Sequence, residues 1–509
     1  ALRSTVASVG EIILSRVSVN MKKFVGLQPL PSPKGALFYL GHSYLLSSKP
    51  HETLTKWAKE LKSDIYSVKI GVLHFVILNS DKVIGELLQK RGAIYSSRLD
   101  SQVYFRTITR GSAIGLSPYT EYYKKVKAIT VGILSLQKTE SYSPLIDGIT
   151  KEMLLDIIHV STSLSNPEPL YPREYLHRAT LNIILEITFG IRTKSINDPL
   201  FKRLDKWVED FTSIFSSEHR KSEYFPIVKY LPNNKTMQQA KVIRDDIDTI
   251  FGELLEDVKS GKNQSPCVAR ELYEQGELED YQIVHFLASL VFAGTDTVAA
   301  SITWLLAFLA NNPSFQEPAH NELDTLIPNH DRLPTYSDLK NLSYTHALIR
   351  EGQRFYPPTW LGVHHLNEQD DEYNGYHIPA NSLVFINSHA ISFDEQRYKN
   401  AKEFDPYRFI NFEQSMASLA NGSAEKRDHF IFGAGRRLCT GIYLAEAELF
   451  VIFACILYCF KVENASPTGE DGKPIPINLD KPIIGLTIWP EHYNIKLVPR
   501  NDRIMQLLN

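Results

Sequence analysis

Phe432-Gly433-Ala434-Gly435-Arg436-Arg437-Leu438-Cys439-Thr440-Gly441 is the stretch on which the reading of this chain turns. A single thiol stands among glycines, a guanidinium precedes it by two positions, and an apolar run with helical spacing follows. Around it lie 509 residues, 43% hydrophobic and 11% aromatic, enough to bury a large core. Lys+Arg 55 against Asp+Glu 58 gives a net charge of −3, and no basic excess argues for a nucleic-acid partner. The four cysteines, Cys267, Cys439, Cys455 and Cys459, are too few for a disulfide framework in so long a chain. Cys455 and Cys459 read as core packing on an apolar helix, and a reducing compartment follows.

The chemistry available at Cys439 is specific. No second Cys or His lies nearby at zinc-ligand spacing, so a tetrahedral zinc site is excluded. A lone thiolate is instead a strong electron donor to haem iron. A free thiol titrates near ~8.5, so the site must favour the anion. Metal coordination does this, and a helix starting after Gly441 adds the positive end of its dipole. Gly433, Gly435 and Gly441 let the backbone approach a flat macrocycle with positive φ. Arg437 can pair with a propionate and Phe432 can shield the sulfur.

Outward from this loop, the chain reads as mainly helical with a smaller strand-bearing part, an α+β arrangement. Residues 64–79 alternate and are β-branched, with Gly71 at a hairpin turn. Helical patterning runs from about 81 to 320, with breaks near 112–119, 162–172, 222–234 and 260–266. The last break, rich in Ser, Gly, Asn and Gln, is the best candidate for a mobile loop. Strand signals return at 375–387 and 475–498. Residues 1–28 are expected to be an N-terminal segment left after a membrane anchor, or a transit peptide, and 29–509 one domain.

Residues 280–312 form the strongest helix, and Pro313 stops it. Its length would suffice for a membrane span. Asp296, Thr295 and Thr297 at its centre favour the axis of a large core, where a buried Asp needs a partner or a task. Small Ala293 and Gly294 leave room for a diatomic ligand. Thr297 can bond back to the carbonyl four residues earlier and loosen the ladder. His285 shares a face with Asp296 and reads as a satisfied core histidine, with a polar group of a ligand as the other choice.

The cysteine stretch resembles the haem-binding signature of the cytochrome P-450 family, F-x-x-G-x-R-x-C-x-G, at Phe432, Gly435, Arg437, Cys439 and Gly441. Ala293-Gly294-Thr295-Asp296-Thr297 resembles the family's A/G-G-x-D/E-T, with Val298 in place of the frequent Thr or Ser. Glu351 and Arg354 match E-x-x-R, and Pro406-Tyr407-Arg408-Phe409 resembles P-x-R-F. The resemblance covers nearly the whole chain. It implies a haem b held by Cys439, with O2 as co-substrate and one oxygen atom inserted into an apolar substrate. It implies that Asp296 and Thr297 serve oxygen activation, with Asp296 relaying protons from solvent. Glu351, Arg354 and Arg408 would form a buried ion-pair network holding the cysteine loop. His365, and Tyr123 with Lys127 in place of W-x-x-x-R, would join Arg437 at the haem propionates. Arg98, in Tyr-Ser-Ser-Arg, resembles a motif near the substrate-side loop without a definite role.

By the same analogy Phe105, Phe211, Phe215, Phe292, Trp360, Leu361 and Leu486 would line the pocket, suited to a steroid, fatty acid, terpene or xenobiotic. No Rossmann-type phosphate loop or flavin module is legible, so electrons must come from a separate protein. The family's usual eukaryotic partner is a membrane-bound NADPH-dependent flavoprotein reductase. The expected place is the cytoplasmic face of the endoplasmic reticulum membrane, with a mitochondrial membrane as the alternative. Competing readings are a haem-thiolate isomerase, dehydratase or peroxygenase, and a haem carrier or sensor without turnover. The Asp296-Thr297 pair speaks against each.

Overall fold

A computed structural model describes residues 24, 26–160, 167–216, 223–225, 234–470 and 472–508. Residues 1–23 of the N-terminal segment, and parts of the breaks at 162–172 and 222–234, lie outside them. Ile65–Ile70 (β1) and Leu73–Leu78 (β2) form the expected hairpin, and Gly71 takes its turn at φ +58°. A side chain there would meet the Tyr224 carbonyl at 1.9 Å, so the turn has two reasons to be glycine.

The helices that frame the interior come next in the chain. They are Glu121–Ile133 (α1), Pro172–Phe189 (α2), Pro199–Ser213 (α3), Lys235–Lys259 (α4), Asp280–Asn311 (α5) and Ser343–Phe355 (α6). α5 begins at a capping box between Glu279 and Gln282, which satisfies two of the free amides at its start. It runs on as α-helix to Asn311. Thr295, Thr297, Ser301 and Thr303 each donate to the carbonyl four residues earlier, at 2.7–2.9 Å. The back-bond expected of Thr297 is present, and α5 stays α-helical through it.

His365–Leu366 (β3) and Leu383–Ile386 (β4) complete a four-stranded sheet in the order β1-β2-β4-β3. β4 lies parallel to β2 and antiparallel to β3. Ile442–Cys459 (α7) follows the cysteine loop and runs straight into Phe460–Asn464 (β5), a strand hidden in the sequence by the apolar helix before it. Ile483–Ile484 (β6) pairs with Ile488–Trp489 (β7), and Ile495–Pro499 (β8) pairs with β5. Strands thus gather from both ends of the chain around a helical body. α5 and α7 are both long and apolar enough to cross a membrane. Burial decides against that reading: 78% and 89% of their most apolar windows lie inside the protein.

The break at 260–266 is tied down. Asn263 donates to the Phe189 carbonyl at 2.6 Å, and the Arg270 guanidinium binds the Asn263 carbonyl.

Candidate active site

A cavity of about 360 Å³ separates α5 from the cysteine loop. Cys439 lines it from one side, Ala293, Gly294 and Thr297 from the other. The surface that Cys439 leaves exposed lies on this cavity. Burial pushes its thiol up, and the Gly441 amide opposes this only in part. A bare loop would therefore hold a thiol. The anion needs a cation bound at the sulfur. Among the described residues no group of three or more His, Cys, Asp or Glu converges to hold a metal. A metal at Cys439 must arrive with its other ligands, as iron in a macrocycle does.

The cavity's edge carries a second indication. Arg437 and Arg98 both line it, and both are buried. Arg437 donates to the Ser96 carbonyl at 2.7 Å and the Ser117 carbonyl at 2.6 Å, and lies 3.5 Å over the Tyr123 ring. Arg98 donates to the Val363 carbonyl at 2.9 Å and to the His364 carbonyl. Burial, and then Arg437, bring Arg98 down to about 9. Carbonyl oxygens supply no countercharge, and among the described residues neither guanidinium is ion-paired to a carboxylate. Two buried cations facing one cavity call for anions inside it. A haem with two propionates meets that need, so the residues present fit the group.

His365 is buried at the same edge, its Nδ1 2.8 Å from the Tyr95 carbonyl. That carbonyl can only accept, so Nδ1 carries the proton. Burial and the Arg98 charge hold the ring far below its ordinary range, hence neutral, with a lone pair on Nε2. It can hydrogen-bond a propionate only by gaining a proton. Tyr123 lines the cavity and its hydroxyl donates to the Arg436 carbonyl at 3.4 Å. Lys127 binds that same carbonyl and does not line the cavity.

The cysteine loop corrects one backbone expectation. Gly433 and Gly435 have positive φ, +72° and +63°, but Gly441 has φ −90° and serves as the N-cap of α7. At Gly435 the close neighbour is protein: a Cβ would lie 1.9 Å from the Leu88 carbonyl. Phe432 lines the cavity beside the sulfur, and the Cys439 amide donates to its carbonyl at 2.9 Å.

Of the expected pocket residues, Phe211, Phe292, Leu361 and Leu486 line this cavity. Phe215 and Leu486 line a smaller adjoining one. Phe105 and Trp360 line neither. Phe105 faces an outer polar groove because its short π-helical segment, Gln102–Ile108, turns it outward, and Trp360 packs on His51. His285 lines the far end with Nε2 2.9 Å from Asp248, while its buried Nδ1 has no partner, so the ring is only half satisfied.

Asp296 departs most from expectation. It is 1% exposed, does not line the cavity and has no direct way to solvent. Its carboxylate accepts from Thr212 Oγ1 and Trp489 Nε1, each at 3.2 Å, and lies 3.7 Å from His177 Nε2. One residue along a helix is a turn of about 100°, so Asp296 and Thr297 cannot share a direction.

Glu351 and Arg354 are wholly buried and joined by two bonds at 2.6 and 2.7 Å, with Arg408 Nε at 3.2 Å. Arg354 also donates to the Ser392 and Ala401 carbonyls, so this network binds residues 392–408 and touches no residue of the cysteine loop. The nearer brace was not foreseen: Arg350 reaches Asp428 at 3.1 Å, and Arg427 donates to the Gly433 carbonyl at 2.8 Å. Glu448 was missed as well. It lines the cavity, its two oxygens lack partners, and burial pushes it well above the carboxylate range. An acid inside the apolar run of α7 was the available signal.

The sequence matches the Cytochrome P450 family over residues 30–493. It is 30% identical over 491 residues to the cytochrome P450 monooxygenase fogE of Aspergillus ruber, covering 94% of this chain and 89% of that protein. It is 28% identical to verL of Clonostachys rogersoniana, covering 94% and 88%, and to yanC of Aspergillus niger, covering 96% and 93%; both are named cytochrome P450 monooxygenases. With a thiol and a threonine facing each other across one cavity, and that match spanning most of the chain, this protein belongs to the cytochrome P450 family of oxidoreductases.

Proposed function

We propose that the chain is a haem-thiolate monooxygenase that inserts one atom of O2 into an apolar small molecule, with electrons from a separate NADPH-dependent flavoprotein reductase. The observation that carries this reading is the single cavity lined by Cys439, by Thr297 and by two buried guanidiniums without anions. Bound there, haem b supplies the redox chemistry that divides O2 between product and water. Cys439 gives the sulfur ligand, and Phe432 with Leu444 and Leu449 keeps it dry. Arg437 and Arg98 orient the group from its propionate edge. Thr297 directs its hydroxyl to the Ala293 carbonyl at 2.9 Å and can turn it to a proton acceptor in the cavity. Phe211, Phe292, Leu361 and Leu486 offer an apolar wall suited to a steroid, fatty acid, terpene or xenobiotic.

An exposed Arg436 beside the cysteine loop suits an acidic redox partner. The apolar surface at Leu37, Phe38, Tyr39 and Leu40, with Phe38 98% exposed, suits a membrane, and we assign the cytoplasmic face of the endoplasmic reticulum. The test is spectroscopic. Carbon monoxide added to reduced, haem-loaded protein is expected to give the far-red-shifted Soret band of a thiolate ligand, and Cys439→Ser to abolish it. A myoglobin-like spectrum in fresh protein overturns the reading. A substrate-induced Soret shift, screened over steroids, fatty acids and terpenes, then selects the substrate.

A further inference from the structure

Behind α5, on the side away from the cavity, four side chains extend from Asp296 toward the surface. His177 on α2 is fully buried. Its Nε2 lies 3.7 Å from Asp296 and its Nδ1 2.7 Å from Asp205 on α3. Arg173, one turn before His177, contacts Asp205 at 3.3 Å and Glu209 at 3.1 Å, and Glu209 is 58% exposed. The rings of Phe201 and Trp489 close the remaining sides. Two carboxylates flank the imidazole, at 2.7 and 3.7 Å, and their charge favours its protonated form. Three acids face two cations here, and a neutral ring would leave Asp296 only the more distant Arg173 as countercharge. The contacts are ion pairs without aligned hydrogen bonds, so the ring is held by charge more than by direction.

We propose that His177 is the positioning residue for Asp296: a buried imidazolium that keeps this carboxylate ionised and turned from the cavity, so that the acid beside Thr297 is governed from the far side of the helix. This rests on the oxygen-activating reading of Asp296 and Thr297 given above. Burial alone would push the ring down, but Asp205 and Asp296 outweigh it and hold His177 above its ordinary value. Asp205 in turn is pulled up by burial but held at about 2 by His177 and Arg173. When the ring is neutral, Asp296 keeps the Thr212 hydroxyl, the Trp489 N–H and the more distant Arg173 charge, and loses its nearer cation. Losing the nearer cation favours the neutral form of any buried carboxylate.

The test uses haem-loaded full chain carrying His177→Gln or Asp205→Asn, each alone and combined with Asp296→Asn. Infrared spectra without substrate are read for a protonated-carboxyl band that vanishes with Asp296→Asn. The expected result is no band in the native protein at neutral pH, a band in His177→Gln, and in Asp205→Asn a weaker band that, like the first, fades toward alkaline pH. With substrate, product formed per NADPH is expected to fall on the order of tenfold or more in His177→Gln, and by a smaller factor in Asp205→Asn. No band in either variant, with a coupling profile that overlays the native one, makes His177 a packing residue and overturns the proposal. If His177→Gln fails to load haem, Asp205→Asn decides alone. A missing thiolate spectrum in native protein defeats the monooxygenase reading instead, and the infrared result is read independently of it.

Discussion

Two buried charge clusters lie on either side of the molecule's core, and they are built on opposite plans. Around Glu351 every partner is supplied: Arg354 and Arg408 bind the carboxylate, the Asp405 amide adds a bond at 2.8 Å, and the remaining guanidinium hydrogens reach carbonyls. Around Asp296 the pairing is incomplete, with an imidazole held between two acids by distance alone. A fully satisfied network has nowhere to go and acts as a fixture. A partly satisfied one, a helix turn from the cavity, can change charge or direction at low cost.

Substitutions should separate the two plans. The largest loss of stability is expected for Glu351→Ala, which strands the buried Arg354 guanidinium and frees the half-buried Arg408, and should cost about 3–5 kcal/mol in denaturant unfolding, with loss of haem before loss of helix content. Next comes Thr297→Ala. It removes one helix back-bond, worth about 1 kcal/mol, so unfolding should barely change. Product per NADPH should nevertheless fall on the order of 10²-fold, with peroxide released. Unchanged coupling in Thr297→Ala, or a large coupling defect in a well-loaded Glu351 variant, breaks the distinction.

Acid sharpens it further. Burial pushes His429 down to about 4, as it does His320 and His389, so each is neutral in the fold. Groups with depressed folded values give stability that is whole above their ordinary pKa, near about 6.5, and lost as pH falls toward about 4. His177, raised, has the opposite sign: its contribution is whole below about 6.5 and is lost as pH rises through its folded value. Thermal unfolding across pH should thus show an alkaline limb that His177→Gln flattens. The smallest effect belongs to Tyr123→Phe, which keeps the ring under Arg437 and loses only a 3.4 Å bond, within about 1 kcal/mol.

Much of the fold was legible because its signals are local. Gly71 between alternating runs gave the β1–β2 hairpin, and the apolar run closed by Pro313 gave α5. The cysteine loop carries its signature in ten consecutive residues. What stayed hidden depends on direction and on distance along the chain. The 100° step between Asp296 and Thr297 was implicit in the helix itself, yet which of the two met the cavity required the packing of α2 and β7. His177 and Asp205 are remote in sequence from Asp296, and nothing local marks them. Phe105 and Trp360 were misplaced because a short π-helical turn and an irregular segment set their directions, and neither follows a period readable in sequence.

The contact between Gly435 and the Leu88 carbonyl bears on how this enzyme can be altered. A single added methyl would force apart the loop that bears the sulfur and the segment Gly85–Lys90 beneath it. Combinatorial libraries meant to reshape selectivity can range freely over the cavity's apolar wall. They should hold this position constant, or vary it only together with the backbone of residues 85–90.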